Sequence, residues 1–192
     1  MVRTRLDIRH RRKAFFYVAG EYNRPRIELE IYRVDNAIKS QVWEIFRKYH
    51  YLNTDLHQSA EQYVGIVNGE IVCHTGVIQF PLKKGKKRVH RLVVLPDYQG
   101  VGIGTAFIAA VGEIVSKRGY ELNLTTTTPA LVGALRKSPR WLLARYGREK
   151  SGMRGYERYK DDNRAKYEHL KKAISQNRVT YSFWYKTKGG GS

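Results

Sequence analysis

Between Val89 and Gly104 an apolar run stops at Pro96, passes through Asp97-Tyr98-Gln99, and reopens into a helical pattern by way of glycines at 100, 102 and 104. The stretch Leu92-Val93-Val94-Leu95 predicts a strand buried on both faces. From Thr105 to Lys117, residues Phe107, Ile108, Val111 and Val115 fall on one helical face. A strand that turns directly into a helix aims several unpaired backbone N–H groups, and the positive end of the helix dipole, at one point in space. An anion belongs there. Glycines let a phosphate come close because no Cβ intervenes. The run has no Gly-Lys-Ser/Thr of a Walker A loop, and Thr105 stands where a dinucleotide fingerprint needs its third glycine. A different pyrophosphate cradle is therefore expected.

The flanking patterns give the rest of the core. Arg26 to Val34 alternates as a half-buried strand, with Ile27, Leu29 and Ile31 inward. Ala37 to Tyr49 predicts a helix capped by Asp35 or Asn36, with Ile38, Val42, Ile45, Phe46 and Tyr49 on its buried face. Gln62 to Val67 and Ile71 to Phe80 flank Asn68-Gly69, a hairpin turn signal. Pro81 and a basic loop, Lys83 to Lys87, lead into the strand Val89 to Leu95. A strand from Glu121 to Thr127 precedes a short helix from Pro129 to Leu135. In the Tyr-rich remainder, Asp161 to Ile174 predicts a charged helix, and Arg178 to Lys186 a strand with Val179, Tyr181, Phe183 and Tyr185 on one face. Residues 1–25 read as a basic arm, 26–150 as the core, 151–188 as a basic helix and strand packed on or extending it, and Gly189-Gly190-Gly191-Ser192 as an appended linker.

Gln99-Gly100-Val101-Gly102-Ile103-Gly104, within HRLVVLPDYQGVGIG from His90, resembles the Q/R-x-x-G-x-G/A acetyl-CoA loop of the GNAT (Gcn5-related N-acetyltransferase) superfamily. The element order over roughly residues 27–141 is similar to that family as well. The resemblance implies an α/β (α+β) fold, with a mixed, mostly antiparallel, splayed sheet flanked by helices, here with a basic C-terminal extension. It implies acetyl-CoA as substrate. Backbone N–H groups from Gln99 to Gly104 would bind the pyrophosphate, main-chain groups of Leu92 and Val94 would align the pantetheine and acetyl carbonyl, and Thr105 would add a hydroxyl. The expected chemistry is transfer of acetyl to an amine.

One departure stands out. Many relatives carry an asparagine after the fifth strand and a tyrosine general acid about eight residues later. This chain has no tyrosine from Thr128 to Trp141, and Tyr146 is the nearest candidate for the acid. Among bases, His50 in Tyr49-His50-Tyr51-Leu52 sits where the family's first helices wall the acceptor site, and His90 begins the strand on which several relatives carry theirs. His74 beside Cys73 invites a metal or nucleophile reading, which the absence of paired Cys or His spacings rejects. Both residues read better as buried structure.

The formal net charge is +19, divided as +6 over residues 1–26, +2 over 27–135 and +11 over 136–192. With a near-neutral core the cationic flanks are where a polyanion would sit; the alternative is a solvated basic surface, and the polyanion is favoured because a long run of like charge destabilises a fold unless a partner offsets it. Trp141, Tyr146, Tyr156, Tyr159, Tyr167 and Trp184 interleave with the basic residues of the second flank, supplying stacking planes beside phosphate contacts. The expected partner is nucleic acid, either DNA or tRNA, and the YHYL segment resembles mobile-element members of the superfamily such as Mom-type DNA modifiers. Alternatives are a protein lysine or N-terminal acetyltransferase and a non-catalytic nucleic-acid-binding module with a degenerate acyl-CoA pocket. One cysteine permits no intrachain disulfide, and with no membrane-length apolar run the expected setting is cytoplasmic.

Overall fold

The computed structural model describes residues 4–9, 26–49, 56–81, 83–148 and 179–186. They form one eight-stranded sheet with helices on both faces. In chain order the elements are β1 (Thr4–Arg9), β2 (Arg26–Arg33), α1 (Lys39–Arg47), β3 (Glu61–Val67), β4 (Glu70–Gln79), β5 (Lys86–Val94), α2 (Ile103–Lys117), β6 (Glu121–Thr126), α3 (Pro129–Arg136), β7 (Trp141–Arg148) and β8 (Val179–Tyr185). The sheet runs β1-β2-β3-β4-β5-β6-β8-β7, with every neighbouring pair antiparallel except β5–β6.

Most local expectations are met for local reasons. Asn68 and Gly69 both take positive φ (51° and 83°), as a two-residue hairpin turn requires. Asp35 caps the short 3-10 turn ahead of α1 by accepting from the Ala37 N–H at 2.9 Å. That turn shifts the helical phase. The face buried in α1 is Val42, Trp43 and Phe46, whereas Ile38, Ile45 and Tyr49 are exposed. Two strands were not expected. The basic arm contributes β1, which pairs along its whole length with β2. The second is β7, and the C-terminal strand β8, expected to pack on or extend the core, lies inside the sheet between β6 and β7. The expected helix 161–174 and the linker 189–192 lie outside the described residues.

Strand alternation sorts the core onto two faces. Leu29, Ile31, Tyr63, Leu122, Leu124, Phe183 and Tyr185 pack against α2, while Val34, Val64 and Val93 pack against α1. Gly112 of α2 is what lets β8 approach, since a Cβ there would stand 2.5 Å from Tyr185 Cδ2. Helix propensity alone makes Gly112→Ala stabilising by about 1 kcal/mol. Overpacking against a buried ring costs about 1–3 kcal/mol. We expect the contact to win, so a thermal melt of Gly112→Ala gives a lower Tm; a rise would place the Tyr185 ring elsewhere.

Candidate active site

The sheet divides between β5 and β6. Their parallel ladder consists of Lys86–Glu121, Lys87–Leu122 and Arg88–Asn123, and then ends. Beyond it β5 stays paired with β4 as far as Val94–Cys73, and β6 stays paired with β8 as far as Thr126–Tyr181. The two central strands therefore part in a V whose apex is at Arg88 and whose mouth is at Val94. Backbone direction alternates along a strand. The Leu95 N–H donates to Val72 O at 2.9 Å and Thr75 Oγ1 donates to Arg91 O at 2.6 Å, so residues 91, 93 and 95 face β4. The main-chain groups of Leu92 and Val94 accordingly face the gap.

At the mouth the chain turns through Pro96–Tyr98 into α2. Gly100 has φ 80° and Gly102, the residue that opens the helix, has φ 98°. Among the described residues no side chain caps α2, so its first N–H groups stay available to a ligand. Gly104 lies against β5, where a Cβ would meet Val94 Cγ2 at 3.1 Å. Gln99 does not extend outward: its Nε2 donates to Val94 O at 2.8 Å, tying the loop to the end of β5. Tyr98 Oη donates to Glu70 Oε2 at 2.6 Å and ties the same loop to β4. Ile103 is buried and Val101 packs on the core, so what these two offer a ligand is backbone. Thr105 is half-buried in the first turn of α2. A pyrophosphate fits here on physical grounds: an uncapped helix start, two left-handed glycines and no Cβ in the way.

The apex carries the titratable groups. Gly76 pairs with Arg91 and the next residue, Val77, pairs with Val89, so His90 is the extra residue of a β-bulge. A bulge puts two consecutive side chains on one side, and here His90 and Arg91 share the α1 face with Arg88. His90 is half-buried, two residues past the last β5–β6 pair. His57, in the turn before β3, lies edge-on to it with ring centroids 6.2 Å apart. Its Nδ1 accepts from the Ser59 N–H at 3.3 Å, which leaves the ring proton on Nε2 in the neutral form. No pattern in the sequence singles out His57, because it sits in a turn and meets His90 only through the fold.

Of the remaining candidates, His50 lies outside the described residues. Tyr146 is 71% exposed and pairs across β7–β8 with Tyr181, which packs on the α2 side of the sheet. The structure does not bring it to His90: a bulge at Ala144, between Leu143 and Arg145, resets which face each later residue of β7 takes. His74 is fully buried, bonded through Nε2 to Gln62 Oε1 at 3.0 Å and stacked on Phe46 at 5.3 Å. Burial pushes the Cys73 thiol well above its ordinary range, which removes it as a nucleophile.

Comparison with known proteins follows the same lines. A family profile described as an acetyltransferase (GNAT) domain matches residues 31–133, just over half of the chain. No curated protein matches the sequence. Among solved structures, the chain is similar to an IAA acetyltransferase from Bacillus cereus, with TM-score 0.55 and 13% identity, covering 83% of this chain and 99% of that one. It is similar to the ribosomal-protein-S18-alanine N-acetyltransferase of Escherichia coli, with TM-score 0.54 and 14% identity over 85% and 99% of the two chains. A Bacillus subtilis acetyltransferase in complex with CoA gives TM-score 0.51 and 12% identity over 83% and 99%. At such identities the likeness is one of fold.

Proposed function

The chain belongs to the acetyltransferase (GNAT) family, and from that premise we propose that the amine it acetylates is carried by a nucleic acid. Its reaction is acetyl-CoA-dependent N-acetylation. The observation that carries the choice of acceptor is the row Lys86, Arg88, His90 that β5 presents along the α1 face, ahead of the buried Arg91. Glu121, paired with the start of that row, is held by Lys86 at 2.8 Å, and Glu61, on the opposite face, is held by Lys87 and Arg118. A cationic lysine side chain gains nothing from such a surface, whereas a phosphate-bearing acceptor does. The +11 of residues 136–192 extends the same preference.

Acetyl-CoA supplies the thioester, and the chain supplies position and proton transfer. The loop from Gln99 to Gly104 anchors the pyrophosphate end, and the gap-facing main chain of Leu92 and Val94 orients the other. The acceptor nitrogen attacks the carbonyl carbon and forms the N–C bond, His90, at the apex, takes a proton from that nitrogen, and the C–S bond breaks as the CoA thiolate leaves and takes up the proton from His90. Arg88, exposed on the same face, holds the acceptor's phosphate beside the base.

His90→Gln keeps the size and hydrogen bonding of the ring site and removes the titrating group. We expect turnover to fall roughly a hundredfold, with acetyl-CoA affinity unchanged. Turnover within about threefold of wild type, with the same pH profile, would return His90 to a structural role. The acceptor is tested by incubating DNA and tRNA with the protein and acetyl-CoA, digesting to nucleosides and weighing them. A nucleoside heavier by one acetyl group is expected. Unmodified nucleosides, with acetyl-lysine formed in protein added to the same reaction, would transfer the reading to a protein acceptor.

A further inference from the structure

The α1 face of the β6–β8–β7 wing carries no helix among the described residues. The core side chains of this wing, Leu122, Leu124, Trp141, Phe183 and Tyr185, pack on the opposite face toward α2, and none of the partners of α1 lies on β6, β7 or β8. By alternation this face presents Ser182 and Trp184 of β8 and, opposite them on β7, Arg145 and Leu142, the last 54% exposed. Trp43 and Trp141 are buried at 4% exposure, but Trp184 is half-buried. Phe80, at the end of β4, stacks on its ring at 5.6 Å with 29° between the planes.

Cations surround this aromatic pair. Lys86 Nζ, which also binds Glu121 Oε2 at 2.8 Å, lies 4.9 Å from the Trp184 ring centre, and Lys83 Nζ lies 5.6 Å from that of Phe80. Gln79 Nε2 donates to both Lys83 O (2.8 Å) and Lys86 O (2.9 Å), so the β4–β5 turn is held in a fixed shape that presents Lys83 and Lys84 to solvent. Lys86 is four residues before His90, about 13 Å along an extended strand. The cluster is thus on the acceptor side of the apex, away from the pyrophosphate loop.

We propose that Trp184, backed by Phe80 and flanked by Lys83, Lys84, Lys86 and Arg88, is a docking site for single-stranded nucleic acid, which stacks a base on Trp184 and lays its phosphates on the turn. An aromatic plane with an apolar shelf beside it suits a base, and an exposed row of lysines suits the backbone that follows. The exposed Lys83 stem is long enough to leave the Phe80 ring for a phosphate, and Lys86 can swing on its tie to Glu121 when a base takes the ring face. This inference rests on the nucleic-acid reading above.

The test is tryptophan fluorescence of the full chain titrated with a 20-nucleotide single-stranded RNA, its DNA counterpart, the duplex, and a poly-glutamate peptide of equal length. Quenching by the single strands is expected, and it disappears in Trp184→Phe. Trp184→Ala weakens single-strand binding about tenfold. Because that variant can fail to fold, Lys83→Gln/Lys84→Gln in the exposed turn is measured beside it. It should lower the slope of log affinity against log salt by about 1.4 and leave acetyl-CoA affinity alone. Equal quenching by the peptide, undiminished quenching in Trp184→Phe, or an unchanged salt slope would overturn the proposal. Label transfer separates the two claims: nucleic acid acetylated equally by wild type and variants defeats the docking site alone, while binding lost in the variants with no acetyl on nucleic acid defeats the acceptor reading alone.

Discussion

Gly102→Val should raise the dissociation constant for acetyl-CoA by more than about a hundredfold and remove transfer with it, while nucleic-acid binding and fold persist. Gly102 opens α2 at φ 98°, ψ −2°. Holding a non-glycine residue in a sparsely populated backbone region costs of order 1–3 kcal/mol, and a β-branched one is the worst case. The chain relieves that strain most easily by rotating the peptide, which turns away the N–H groups that hold the pyrophosphate. A hundredfold loss corresponds to about 2.7 kcal/mol, so strain and lost hydrogen bonds together suffice. Calorimetric titration with acetyl-CoA measures it directly. Unaltered affinity would mean that the nucleotide is held somewhere other than this loop.

Glu61→Ala should destabilise the fold by about 3 kcal/mol, close to 10 °C in Tm for a chain of this size. Glu61 of β3 binds Lys87 of β5 and Arg118 just beyond α2, and Tyr63 Oη accepts from Arg118 Nη1 at 3.1 Å. The side chain of Lys87 is 9% exposed and lies 4.5 Å over the Tyr120 ring. Removing the carboxylate would strand a buried ammonium, which costs far more than an exposed pair contributes. Lys87 is one of the three β5 residues that still pair with β6. The cluster therefore fastens the closed end of the V. Burial alone would raise the Glu61 carboxyl, but the hydrogen bonds from Arg118 and Lys87 outweigh it and bring it from 4.5 down to about 2. A carboxyl lowered on folding stabilises above its unfolded value, and the contribution is lost as pH falls from about 4.5 through about 2. Between those limits wild type should lose stability that Glu61→Ala has already lost, so their acid melts converge. Parallel acid melts would place the stabilising charge on another residue.

What the sequence showed and what it hid follow from the range of the interactions. The loop from Gln99 to Gly104 is legible because a left-handed backbone at a phosphate site demands glycine locally. The hairpin at Asn68-Gly69 is legible for the same reason, and β8 because Val179, Tyr181, Phe183 and Tyr185 keep strict alternation. In β7 the alternation of Trp141 and Leu143 is broken by the extra residue Ala144, which erases the period over so short a strand. The burial of Trp43 in α1 leaves no trace in the sequence period because the preceding 3-10 turn rotates the buried stripe. The V itself leaves no mark in Val89 to Leu95, since where a ladder ends depends on a partner 35 residues later. The bulge that sets His90 and Arg91 side by side, and the approach of His57, are products of register and loop path. Candidate bases could be named from the sequence, but not which of them the fold brings to the apex.

The most direct measurement of the central claim is the partition of labelled acetyl from acetyl-CoA in one reaction holding duplex DNA, total tRNA and soluble protein, with Gly102→Val as background. Label above that background in a nucleic-acid pool is the predicted result. Label confined to protein, or none above background in any pool, would contradict it.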